Sequence, residues 1–198
     1  PNTAGEHGIR LNWLDNGSFR ARVYNDGSAT DTTFGGTVSS GTEMTLFIMR
    51  NSDTEYTVGY DAGAAGSAAL DGITIAGTAG GNLYVGVEEY GSTSSFDALE
   101  ILDLSTETFS DDFSTDTSGN YIGTKTYGTG PGGFTVSGGT LNVDGTVGAT
   151  YDVFHKVARL GIDKTVLVVS KSGNPTDLYL SISTTTRGPN TPVSMAFD

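Results

Sequence analysis

The chain has 198 residues, 36% of them apolar, with 29 Gly, no Cys and a formal net charge of −13. Its length suits one sandwich of ordinary size or two very small domains, and without cysteine neither disulfides nor thiolate metal sites can form. No run approaches the roughly 18 apolar residues of a membrane helix, and the acidity would be repelled by a phosphate backbone or an anionic bilayer, which argues against nucleic acid and membrane as partners.

The charge is uneven. Residues 1–105 carry 14 Asp/Glu against 4 Lys/Arg, and residues 106–198 carry 9 against 6. This acidity serves solubility or, on a sharper reading, cation binding by the first half. The opening residues lack the basic cluster and apolar run of a secretory leader.

Strand signals follow densely along the chain. Residues 9–13 alternate apolar and polar, Asp15-Asn16-Gly17-Ser18 is a turn, and residues 19–23 alternate again, which predicts a hairpin. A period of two puts Ile9, Leu11, Trp13, Phe19, Ala21 and Val23 on one face, and Arg10, Asn12, Arg20, Arg22 and Tyr24 on the other, polar outer face. Residues 44–50 and 55–60 predict a second hairpin around Asn51-Ser52-Asp53. Further strands are expected over 72–76, 83–88, 96–104, 134–136, 140–143, 149–154, 165–171, 178–184 and 193–197. The run Val166-Leu167-Val168-Val169 reads as a strand buried on both sides. Residues 105–110 read as a connector and 116–129 as a long loop. No segment sustains a helical period, residues 153–162 coming nearest. A dozen short strands separated by turn signals mean an all-β sandwich or barrel.

Asp111-Asp112-Phe113-Ser114, followed by Gly133-Phe134-Thr135-Val136-Ser137-Gly138-Gly139-Thr140-Leu141, resembles the opening of concanavalin A-like (laminin G-like) jelly-roll domains. Residues 44–60, and Leu83-Tyr84-Val85-Gly86-Val87 with Phe96-Asp97-Ala98-Leu99-Glu100-Ile101, resemble the close of the same domains. In this chain the beginning follows the end. The resemblance implies a single two-sheet antiparallel jelly-roll β-sandwich over residues 1–198, circularly permuted. Residues 1–104 would be the C-terminal half of the usual fold, 105–110 the connector and 111–198 the N-terminal half. Two other arrangements stay open: halves exchanged head to tail between chains, which can propagate a filament, and two independent small domains.

Related jelly-roll glycosidases carry Glu-x-Asp-x-Glu on one strand face. Here Glu100 and Asp103, or Glu88 and Glu89, fall on opposite faces and cannot cooperate across a glycosidic bond. His7 and His155 sit in no nucleophile motif. No catalytic residue is assigned, and the chain is read as a non-enzyme. Loop carboxylates that could meet a structural calcium are Asp111 and Asp112 with Asp97, Asp53 with Glu55, and Asp61 with Asp71. None has EF-hand spacing and Asp also caps turns, so no cofactor is required, a structural calcium stays open, and no metal ligand is assigned.

The candidate ligand-binding residues are Arg20, Arg22, Tyr24, Tyr84 and Glu88 on a polar sheet face, with Tyr90, Tyr121 and Tyr127 as exposed aromatics in Gly/Ser/Thr-rich loops. Trp13 belongs by register to the core. The expected role is a non-catalytic recognition or assembly module of an extracellular or virion surface, binding glycan or a protein surface and able to self-associate. The alternatives are a structural repeat unit or phage decoration or fibre protein that polymerises by exchanging halves, and a polysaccharide-active hydrolase or lyase.

Overall fold

The computed structural model describes residues 7–14, 16–25, 28–39, 41–62, 68–74, 83–91, 93–103, 106–127, 132–145, 150–173 and 178–183. The period-two segments become strands. In chain order these are β1 (His7–Trp13), β2 (Phe19–Asn25), β3 (Ser28–Phe34), β4 (Met44–Arg50), β5 (Glu55–Asp61), β6 (Ala68–Thr74), β7 (Leu83–Tyr90) and β8 (Thr93–Asp103). The second half adds β9 (Thr106–Asp111), β10 (Tyr121–Tyr127), β11 (Gly133–Ser137), β12 (Thr140–Asp144), β13 (Thr150–Leu160), β14 (Lys164–Gly173) and β15 (Leu178–Ser183). Among the described residues no helix is long and apolar enough to cross a membrane.

The strands form a two-sheet antiparallel β-sandwich. One sheet runs β10-β13-β7-β15-β1-β2-β3; the other runs β11-β12-β8-β14-β4-β5-β6, with β9 also paired to β8. The inward positions of both sheets meet in one apolar cluster that includes Leu11, Trp13, Phe19, Leu46, Val58, Val85, Leu141, Val166 and Leu180. A ring stack crosses it: Trp13 is parallel to Phe19 at 6.4 Å, and Phe19 lies on Tyr60 of the opposite sheet at 3.6 Å.

The first hairpin forms as its turn chemistry predicts. Gly17 takes φ 81°, a conformation glycine adopts without Cβ strain, and Asn16 Oδ1 accepts the Ser18 amide at 3.0 Å. Register then pairs Arg10 with Arg22 and Trp13 with Phe19.

At the centre of each sheet, strands from residues 7–103 interleave with strands from 106–183, while β1-β2-β3 and β4-β5-β6 stay together at one end. β7 lies between β13 and β15, and β8 lies between β14 and β12. The pairing of β1 sets Ile9 opposite Ile182. The buried Arg50 also ties the halves: its guanidinium donates to the Leu160 carbonyl at 3.1 Å and to Asp53 at 2.7 Å.

Several expectations need correction. Residues 153–162, the nearest to a helical pattern, lie mostly in β13, whose register slips between Phe154 and Arg159; that irregularity is what blurs the period. The expected loop 116–129 holds a 3₁₀ turn, Ser118–Asn120, and β10. Most of the expected connector is β9. Leu167 and Val169 are only half-buried while Val166 and Val168 are buried, so β14 buries one face fully rather than two. The strand expected over 193–197 lies outside the described residues.

Candidate functional site

The outward face of the seven-stranded sheet carries the polar residues that alternate with the core. Register aligns Arg22, Arg10, Ser181, Gly86 and Phe154 in one row. A neighbouring row runs from Arg20 through Asn12 and Tyr179 to Glu88 and Asp152. The expectation of a solvent-facing outer face fails at its centre: Arg10 is 3% exposed, and Asn12, Glu88, Asp152 and Ser181 are 0% exposed.

Charge gathers there. The Arg10 guanidinium lies against a Glu88 carboxylate oxygen and 4.0 Å from Asp152, so it reaches across β15 to bridge β1 to β7 and approach β13. It also sits over the Tyr24 ring at 5.5 Å. With both acids ionised, this trio carries one excess negative charge. Burial pushes the Glu88 carboxyl well above the ordinary range; the Arg10 charge opposes the rise, and the Asp152 and Glu89 charges add to it. Burial likewise raises the Tyr24 hydroxyl, against the pull of Arg10.

Hydrogen-bonding capacity is left over. The Asn12 side-chain oxygen and nitrogen and the Ser181 hydroxyl make no well-formed hydrogen bond among the described residues. Buried polar atoms are nearly always paired, so such a cluster stands out. Gly86 is required beside it: a Cβ there would sit 2.4 Å from the Val153 carbonyl and 2.8 Å from the Phe154 ring, which folds over the strand.

A half-exposed rim surrounds this floor. Arg22 makes a bidentate pair with Asp31 at 2.6 and 2.7 Å, and Arg20 approaches the same carboxylate at 3.5 Å. The Arg22 hydrogen bond holds the Asp31 carboxyl below its usual range despite partial burial. On the other side the Arg159 guanidinium covers the Tyr84 ring at 3.4 Å.

The structure thus brings together Tyr24 and Glu88, sets Arg20, Arg22 and Tyr84 at the rim, and separates the rest. Tyr90 ends β7 and is half-buried. Tyr121 is not an exposed loop aromatic: it starts β10, is 4% exposed, and donates its hydroxyl to Asp111 at 2.9 Å. Burial, and then the Asp111 charge, push that hydroxyl far up. The Tyr127 side chain lies outside the described residues. Asp152 and Ser181 escape sequence reasoning because only the β13–β7 and β15–β1 pairings bring them in. Arg10 and Asn12 already shared the face by period, and that was the available signal.

Other candidate groups have local partners. Asp111 and Asp112 accept backbone amides two residues on, at 3.0 Å each. Asp53 pairs with Arg50. The Asp71 side chain lies outside the described residues. Among the described residues no group of three or more His, Cys, Asp or Glu is placed to hold a metal. His155 stacks edge-on against Tyr121 and Phe109, and its Nδ1 accepts the Val157 and Ala158 amides at 3.2 and 2.8 Å. Burial lowers its pKa, against the Asp111 charge. Comparison with protein-family models and with curated proteins finds no match.

Proposed function

We propose that this chain is a non-catalytic recognition module, a circularly permuted concanavalin A-like sandwich, that binds a hydroxyl-rich ligand, a glycan, on the outer face of its seven-stranded sheet. An extracellular or virion surface is the setting where such a ligand is met. The observation that carries the reading is the polar make-up of this one face: a buried floor with unmet hydrogen-bonding atoms on Asn12 and Ser181, ringed by the half-exposed Arg20, Arg22 and Tyr84. Hydroxyls both donate and accept, so they match the rim, which offers the Arg20 and Arg22 guanidiniums, the Asp31 carboxylate and the Tyr84 hydroxyl. The Tyr24 and Tyr84 rings each have an Arg guanidinium over a face, so recognition on this face is by hydrogen bonds more than by ring stacking.

The test is a glycan panel read by calorimetry for wild type and Arg20→Ala. Removing this half-exposed donor should weaken binding about tenfold or more, about 1.4 kcal/mol, with no loss of thermal stability, since Arg22 still holds Asp31. Undiminished affinity in the variant, or no binding by the wild type, overturns the reading. Sugar release by the wild type, abolished in Glu88→Gln, would instead make the adjacent carboxylates Glu88 and Asp152 hydrolytic.

A second reading is assembly by exchange of halves, favoured by the seating of β7 and β8 between strands of the second half, one in each sheet. The same registers would form if one chain's second half completed another chain's first half.

A further inference from the structure

We propose that the outward face of the eight-stranded sheet, centred on Phe47, Met49 and Leu167, docks an amphipathic helix of a partner protein, one whose apolar stripe is flanked on both sides by Lys or Arg. This is the sheet opposite the polar floor, and the proposal stands or falls independently of the glycan reading.

β14 and β4 pair in that sheet, with β8 beside β14 and β5 beside β4. Their inward positions, such as Leu46, Ile48, Val58, Ile101, Val166 and Val168, belong to the apolar core. The period of two turns the intervening residues outward, and along β4, β14 and β8 most of these are apolar too. Register sets Leu167 between Phe47 and Glu100, Thr165 between Met49 and Leu102, and Val169 between Thr45 and Ala98. Met49 is 39% exposed, and Phe47, Leu102, Leu167 and Val169 are half-buried. None of these five belongs to the core cluster or to the rings packed against it. The apolar run Val166–Val169 therefore feeds two faces, one filled by the core and one turned to the outside. A contiguous apolar patch on an outer sheet face marks contact with another molecule.

Charge selects the partner. Glu100 lies on the β8 flank of the stripe, and the exposed Glu55 and Asp61 lie at the two ends of β5 on the other flank. Among the described residues no Lys or Arg occupies an outward position on these four strands. A second copy would set acid against acid on a chain of net charge −13, and an anionic bilayer would be repelled in the same way. A stripe with bases on both sides instead places them over Glu100 on one flank and over Glu55 and Asp61 on the other. Size selects its form. Three strands span about 10 Å and three outward rows about 13 Å. A helix is about 10 Å wide and rises about 13 Å in two and a half turns. One helix lying along β14 and β4 therefore covers the stripe with its i, i+3, i+4 and i+7 side chains.

The experiment is amide chemical-shift titration of the whole chain with a synthetic helical peptide carrying Leu at i, i+3, i+4 and i+7 and Lys on both flanks. An isomer of the same composition with those positions scrambled is the control. Shifts at residues 45–49, 98–102 and 165–169 are expected with the first peptide and not with the second. Met49→Lys, which puts a base into the apolar stripe, should weaken binding at least tenfold at unchanged melting temperature. Glu100→Lys, which reverses one flank, should do the same. Equal binding of the two peptides reduces the contact to attraction between opposite net charges and overturns the proposal. Binding that neither substitution weakens, or no shifts with either peptide, overturns it as well. In the peptide-free chain, shifts at these residues that grow with protein concentration assign the face to a second copy. Contacts from the Met49 methyl to residues of the same chain outside the two sheets assign it to the chain itself. Either result overturns the proposal and leaves the glycan reading untouched.

Discussion

Burial raises the Glu88 carboxyl well above the ordinary range, against the pull of the Arg10 guanidinium and with the Asp152 charge adding to the rise. Its raised pKa is a stability statement. Below the ordinary carboxylate range the proton is bound in both folded and unfolded chains and the group contributes nothing. As pH rises the unfolded chain releases the proton more readily, so the folded state loses stability by about 1.4 kcal/mol per unit of raised pKa. Glu88→Gln should therefore match wild type below the ordinary carboxylate value and exceed it as pH rises above that value, in urea unfolding followed from pH 3.5 to 8; a variant that is less stable at every pH would refute the assignment. His155 has the opposite sign. Its lowered pKa means the unfolded chain binds the proton first, so this contribution is lost as pH falls through and below the ordinary imidazole value. Imidazole NMR should find a neutral ring at pH 7, protonated on Nε2 because Nδ1 is an acceptor, with a midpoint below 6.5. At this scale the sequence placed Glu88, Tyr24, Tyr84 and the β2 arginines on one face, because alternation is local. It could not show that the face is buried or that Asp152 opposes Glu88, because both depend on pairing between distant segments.

Element packing turns on aromatic contacts and one close approach. Phe19 sits between Trp13 and Tyr60, so Phe19→Ala should cost about 3–5 kcal/mol in urea unfolding. Tyr60→Phe should cost only about 1 kcal/mol, the bond from the Gly36 amide to its hydroxyl. Gly86→Ala should cost about 1–3 kcal/mol through the contacts a Cβ would make with the Val153 carbonyl and the Phe154 ring. Strands with one buried face were legible, and those without were not. β3 reads Ser-Ala-Thr-Asp-Thr-Thr-Phe and is exposed except at Phe34: an edge strand with neither face in the core needs no apolar alternation. β10 hid for a related reason, its Gly and Thr residues resembling a loop at the other edge of the same sheet. β9 was mistaken for a connector because it is short and polar, although its backbone pairs with β8.

For the whole molecule, the proposal of closure within one chain predicts a constant 20.5 kDa in light scattering across concentration; a ladder of chain multiples would favour exchanged halves. The interleaving at the sheet centres has a consequence in time. β7 has its sheet neighbours in β13 and β15, and β1 has one of its two in β15, the last described strand. During synthesis the first half can form the hairpins β1–β2–β3 and β4–β5–β6, but β7 and β8 wait for residues not yet made. Pairings so remote in sequence form slowly, and open strand edges meanwhile can pair with any chain nearby. A ribosome delivering this chain therefore withholds the sandwich until β15 emerges, and crowding of nascent chains in that interval decides whether each closes on itself.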